Sequence, residues 1–199
     1  MISKKTGTVY IIVNSLYILY FFMLMLWLKE PLISDAYNQP VILSTGTLAA
    51  IQITMSLLSL FVFVGLAWVL KAFNEKNWIV IAVWVYLILQ LYFNLLSVFN
   101  IYRVHMIYIF YSYTIYVNYA VLLFLVIALL FVDNPTIKSY YRWFGTAVLM
   151  SIVLVRIAPY LYEHYNLRWA LINPGIIKII PFFITLFLFA KISRLPAAK

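Results

Sequence analysis

The chain has 199 residues, of which 67% are hydrophobic, 19% aromatic and only 10% charged, with a mean hydropathy of +1.04. A soluble domain is about 45–50% apolar and about 25% charged, so this chain lacks the polar side chains to cover a water-facing surface, and it is far too hydrophobic to be disordered. Its net charge of +9 then reads first as a membrane-orientation signal, not as a nucleic-acid footprint.

The expected class is an all-α, polytopic integral membrane protein with one transmembrane domain over 1–199. Requiring about 17–25 mainly apolar residues per helix gives spans at 10–28, 48–70, 78–99, 107–132, 144–163 and 176–192. The opening Met1-Ile2-Ser3-Lys4-Lys5 looks like the start of a signal peptide. The apolar run behind it is too long, and no small-residue cleavage site follows, so it reads as a retained first span. That span carries Asn14. The connection Lys29–Thr47, with Pro31, Asp35, Pro40 and Gly46, is the longest and is expected to run along the surface. The second span holds Gln52, Thr54 and Ser56. After Lys71–Asn77 the third span places Gln90 and Asn94 four apart, on one helical face near mid-membrane.

Beyond Asn100–Met106, the fourth span carries Asn118 and the tyrosines 108, 111, 113, 116 and 119. Tyr108, Tyr111 and Tyr119 can share a face, while Tyr113 and Tyr116 cannot join them. The connection Asp133–Trp143 contains Asn134-Pro135 and leads to the fifth span, where Arg156 lies about two-thirds of the way outward. Tyr160 and Glu163 follow at i+4 and i+7 on its face, and Pro159 weakens the backbone ladder near Val155. After His164–Gly175, Asn173-Pro174-Gly175 reads as a helix start, with Lys178 one turn inside the sixth span. Pro181 and the shortness of this span point to a bend, or to a partly inserted segment at Leu167–Ile172 before it.

With a cytoplasmic N-terminus, the inner side holds nine bases: Lys4, Lys5, Lys71, Lys76, Lys138, Arg142, Lys191, Arg194 and Lys199. The outer loops hold Lys29, Arg103 and Arg168, with Arg156 and Lys178 inside spans. The positive-inside rule therefore places both termini in the cytoplasm, as an even number of spans requires, and the expected location is a bacterial inner (plasma) membrane. Trp27, Trp68, Trp78, Trp143 and Trp169 fall near span ends, at headgroup level, and Trp84 does not.

Ionisable groups inside a span are functional candidates, because each costs about 2.5–3.5 kcal/mol at a helix centre. Arg156 either lines a pocket, positioned by Glu163 and beside Tyr160, or snorkels outward to Glu163 or a lipid phosphate. Lys178 faces the same choice. His105, His164, Arg103 and Arg168 join them in the outer half, so the residues of a basic, ligand-binding vestibule for a small anion or anionic lipid are Arg156, Lys178, Glu163, Tyr160, His105 and His164. Gln90, Asn94, Asn118 and Asn14 form a polar set that either lines a path or fastens helices by hydrogen bonds.

The absences are informative too. There is no cysteine, no acid in mid-span and no motif of a hydrolase, haem protein or nucleotide-binding loop, so no cofactor and no metal site are expected. These absences weigh against an enzyme. The leading expectation is a small multi-pass protein that binds or transports an anionic or lipid-like ligand in an outer-half basic cavity. One alternative is a non-catalytic accessory subunit with membrane-protein partners or further copies of itself. The other is an outer-facing enzyme acting on lipid-linked substrates, with His105 or His164 as base. Besides the ligand, the expected partner is the lipid bilayer, with no nucleic acid.

Overall fold

The computed structural model describes residues 4–27, 45–98, 105–165 and 178–195. Among these it forms six α-helices and no strand. They are α1 (Lys4–Trp27), α2 (Thr45–Ala72), α3 (Asn77–Val98), α4 (His105–Leu130), α5 (Lys138–Tyr165) and α6 (Ile180–Ser193). Among the described residues three stretches are long and apolar enough to cross a membrane: Lys5–Met23, Ile53–Ala72 and Asn77–Leu95. Shorter apolar stretches fill Tyr116–Leu130 in α4 and Ile180–Ser193 in α6. The long connection after α1 and the segment Leu167–Ile172 lie outside the described residues.

Each helix packs against its neighbours in sequence, and α1 closes against α6, so the six form a ring. Between α2 and α3 and between α4 and α5 short turns dictate this order, because a few residues can only return the chain antiparallel beside the helix it has left. After α2, Asn74 takes the left-handed conformation at φ 54. The N–H of Glu75 then reaches back to the Leu70 carbonyl, and that of Asn74 to the Lys71 carbonyl. This pair of bonds ends the helix and satisfies its last carbonyls. Before α5, the Asn134 side chain accepts the Thr136 N–H at 3.0 Å, and its carbonyl accepts from Ile137 and Lys138.

The two turns are tied to each other. The buried Glu75 carboxylate accepts the Asn134 N–H at 2.7 Å and the Asp133 N–H at 3.2 Å. Lys191 near the end of α6 donates to the Thr136 carbonyl at 3.0 Å, and a Cβ on Gly7 of α1 would lie 3.1 Å from Ser193 Cβ. Both turns, the start of α1 and the end of α6 therefore share one end of the ring. The described bases Lys71, Lys76, Lys138, Arg142, Lys191 and Arg194 lie on these same turns and helix ends.

Outside these helix ends, Lys76 and Asp133 form an exposed ion pair at 2.7 Å. The hydrogen bond from Lys76, followed by its charge, holds the Asp133 carboxyl below its ordinary value, and the same contact raises Lys76. A lowered carboxyl contributes stability above the ordinary Asp range, which is lost as pH falls through the lowered value. A raised lysine contributes below its ordinary value and loses that contribution as pH rises through the raised one. An exposed pair is worth little, so Asp133→Asn is expected to lower the unfolding temperature slightly at pH 7. The gap should close below the carboxylate range; a gap that stays constant down to pH 3 would contradict the pairing.

The half of the ring nearest the termini is solid. Leu66, Val69 and Leu70 of α2 meet Ile79 and Val83 of α3, Leu125 and Leu129 of α4, Tyr141 and Phe144 of α5, and Leu188 and Phe189 of α6. The hydroxyl of the fully buried Tyr141 donates to the Leu66 carbonyl at 2.6 Å, which satisfies the one polar atom this plug contains from that ring. Gly65 lies beneath an aromatic stack: Tyr10 and Phe189 have ring centroids 5.2 Å apart, and a Cβ on Gly65 would meet them at 2.7 and 2.8 Å. Gly65→Ala is therefore expected to cost about 1–3 kcal/mol by overpacking. Gly145→Ala, whose Cβ would first meet the Val126 carbonyl at 3.6 Å, should be tolerated. Detergent-solubilised unfolding curves compare the two.

The outward faces are apolar as well, as at Phe61, Ile88 and Leu123. Helices that are apolar both inside and outside suit a lipid surrounding, where burial against protein is not needed to hide them.

In the sixth helix the α-helical part begins at Ile180, with Ile179 in the capping position without a side-chain cap. Lys178 and Ile179 form a 3-10 turn that leads into it, and 176–177 lie outside the described residues. Pro181 sits in the first turn, where a missing N–H is tolerated.

Candidate functional site

Above the plug the ring is hollow. A cavity of about 400 Å³ is bounded by residues from all six helices or their immediate flanks. Tyr17 comes from α1, Ser59 and Phe63 from α2, Tyr86 and Gln90 from α3, and Asn118, Tyr119 and Leu122 from α4. Phe144, Val148, Ser151 and Ile152 come from α5, and Lys178, Pro181 and Phe182 from the start of α6. Small and polar side chains at mid-helix, where the plug has Leu and Phe, leave this space.

The lining is sorted by height. Ser59, Gln90, Asn118, Ser151 and Lys178 each lie about 12–15 residues from the helix end on the termini side, roughly 20 Å at 1.5 Å per residue. Phe63, Leu122, Phe144 and Val148 lie closer to the plug, so the cavity has a polar rim and an apolar floor. Gln90 Nε2 donates to Asn118 Oδ1 at 3.0 Å across the α3–α4 contact. That bond leaves Asn118 Nδ2 as a donor and Gln90 Oε1 as an acceptor at the rim. Ser151 donates to the Val148 carbonyl at 2.7 Å and Ser59 to the Ser56 carbonyl at 2.8 Å, so both hydroxyls are spent on their own helices. Tyr17 stacks on Phe182 with centroids 3.9 Å apart.

Lys178 is the one cation among the described lining residues. It is exposed, and its ammonium has neither a hydrogen bond nor an ion pair among the described residues. The described lining residues include no acid. A cavity built this way offers an anion one full charge and several neutral donors, with an apolar wall beside it.

The other residues singled out from the sequence are placed differently. Asn14 is fully buried in the α1–α6 contact, where its Nδ2 donates to the Phe182 carbonyl at 2.8 Å and to Thr185 Oγ1 at 2.7 Å. It fastens α6 directly behind the cavity wall, and its Oδ1 has no partner among the described residues. Asn94 is half-buried one turn beyond Gln90. Thr54 donates to the Ala50 carbonyl of its own helix at 2.8 Å, and the Gln52 side chain lies outside the described residues. Tyr160 and His164 are exposed near the end of α5 and stack on each other at 4.1 Å, with His164 Nδ1 3.1 Å from the Tyr160 carbonyl. Arg156, Glu163 and His105 belong to α5 and α4 by their backbone, and their side chains lie outside the described residues, as do Arg103 and Arg168.

Sequence reading missed Tyr17, Tyr86, Ser59 and Ser151 as lining residues. Tyrosine in a membrane chain reads first as an interfacial anchor, and single serines carry no signal. In α4 the distinction between faces is visible: Tyr113 and Tyr116 are exposed, whereas Tyr119 lines the cavity. Among the described residues no group of His, Cys, Asp and Glu could hold a metal ion. Comparison of the chain with protein-family models, curated proteins and solved structures returned no match.

Proposed function

We propose that the protein is a six-span membrane protein whose central cavity binds or transports an amphipathic anion. A carboxylate or phosphate sits at Lys178 and the rim, and an apolar body rests on Phe63, Leu122, Phe144 and Val148. The observation that carries this reading is Lys178, unpaired among the described residues, beside the Gln90–Asn118 amides, on a lining from the whole ring whose described residues include no acid. Tyr17 and Tyr86 add phenol hydroxyls to the lining. The bases at the termini end support a cytoplasmic placement of both termini in a bacterial inner membrane, which puts the rim in the outer half. Arg156 and Glu163 belong to the same proposal as a second anion contact and its positioning partner.

The test uses the purified full chain and three ligands of equal chain length: decanoate, decanol and decyltrimethylammonium. Decanoate is expected to raise the unfolding temperature in a saturable way, decanol weakly, and the cation not at all. Equal effects of all three would contradict a charge-selective cavity.

A further inference from the structure

A second recess lies at the other end of the molecule, on the outside of the ring, where α4 ends and α5 begins. It encloses about 580 Å³, and Leu130, Pro135, Lys138, Ser139, Arg142 and Trp143 line it. Lys138, Ser139, Arg142 and Trp143 fall on the outward face of α5, opposite the buried Tyr141, Phe144 and Gly145. Arg142 Nε donates to the Leu130 carbonyl at 3.3 Å, which holds the guanidinium across the recess. Its two terminal nitrogens, the Lys138 ammonium and the Ser139 hydroxyl have no hydrogen-bond partner among the described residues.

The nearby acids are already engaged. Asp133 is paired with Lys76 at 2.7 Å, and the Glu75 carboxylate accepts two backbone N–H groups. Asp133 also feels the charges of Lys138 and Arg142, but neither base forms an ion pair with it, so two positive charges face the recess with their donors free for a ligand. Its other wall is apolar: Leu130 is exposed, and Trp143 is 66% exposed, an indole at the end of a helix where headgroups meet acyl chains. Charge, hydroxyl, indole and apolar wall together match the phosphate, glycerol and acyl chain of a phospholipid.

We propose that this recess binds an anionic phospholipid of the leaflet on the termini side, its phosphate held by Arg142, Lys138 and Ser139 and its first acyl carbons lying along Leu130 and Trp143. The arginine contributes a planar fork and the lysine a point charge, a combination suited to a phosphodiester. A free phosphate would satisfy the charges and leave the apolar wall bare. The proposal rests on the membrane-embedded class alone and is independent of the central cavity.

Native mass spectrometry of the full chain in maltoside detergent tests it, with palmitoyl-oleoyl phosphatidylglycerol, the matching phosphatidylcholine and inorganic phosphate as probes. Wild type is expected to retain phosphatidylglycerol at least 10-fold better than phosphatidylcholine. The Lys138→Gln/Arg142→Gln variant should lose that preference, while Lys71→Gln/Arg194→Gln keeps it. Equal retention of both lipids by wild type overturns the proposal and needs no variant to fold. Unchanged preference in the double variant overturns it too, as does displacement of the lipid by millimolar inorganic phosphate, which would assign the site to a free anion.

Discussion

Glu75→Ala is expected to destabilise the protein by about 2–4 kcal/mol, the largest stability loss from any single polar side chain at the termini end. Glu75 is only 8% exposed, and both of its carboxylate oxygens accept backbone N–H groups from the α4–α5 turn. Hydrogen bonds to a charged group contribute about 1.5–3 kcal/mol each, and removing the acceptor leaves two donors to find water. Asp133 is exposed, so water recovers part of the loss and the total falls below the sum of two full bonds. Glu75→Gln keeps one acceptor oxygen and should lose about half as much. Unfolding of the detergent-solubilised protein measures both, and wild-type stability in Glu75→Ala would show that the two turns are not pinned through this residue.

Lys178→Ala is expected to weaken decanoate binding by about 10–100-fold, since a charge-assisted contact contributes about 1.5–3 kcal/mol and each 1.4 kcal/mol is tenfold. Lys178→Arg keeps the charge and should retain most of the affinity. Gln90→Leu removes a neutral contact and should cost less, about 3–10-fold for roughly 1 kcal/mol. Lys178 precedes α6 and is exposed, so its replacement should leave the unfolding temperature of the ligand-free protein unchanged. Isothermal titration separates the two effects. Equal affinity in Lys178→Ala and wild type would remove the anion site from the rim.

The membrane class and the number of helices were legible in the apolar runs, because lipid demands long unbroken stretches and the connections concentrate the breakers. The ends were less so. The first and fifth runs start at 10 and 144, yet α1 starts at Lys4 and α5 at Lys138, since a helix continues past its lipid-facing part into polar turns. The closure of α1 on α6 had no sequence signal strong enough to read. It depends on Gly7, which lies before the first apolar run and lets Ser193 approach, and on Asn14, whose partners are more than 160 residues away.

The candidate site divides in the same way. Gln90, Asn118 and Lys178 stood out because polar groups are costly in lipid, and all three line the cavity. Asn14 stood out for the same reason and is a fastener between helices, because the same cost is met equally well by a hydrogen bond to a neighbouring backbone. Which of the two a residue does depends on the helix opposite it, and a single sequence does not contain that pairing. Tyr17 and Tyr86 show the converse: a side chain at home in many membrane settings is inconspicuous until the ring brings it inside.

The most direct test of a ligand-binding ring is photolabelling in nanodiscs with a diazirine-bearing decanoate, followed by peptide mapping. Saturable labelling is expected at Phe63, Leu122, Phe144 and Val148, competed by unlabelled decanoate and lost in Lys178→Ala. Labelling confined to outward residues such as Phe61, Ile88 and Leu123, unaffected by competitor or by Lys178→Ala, would contradict it.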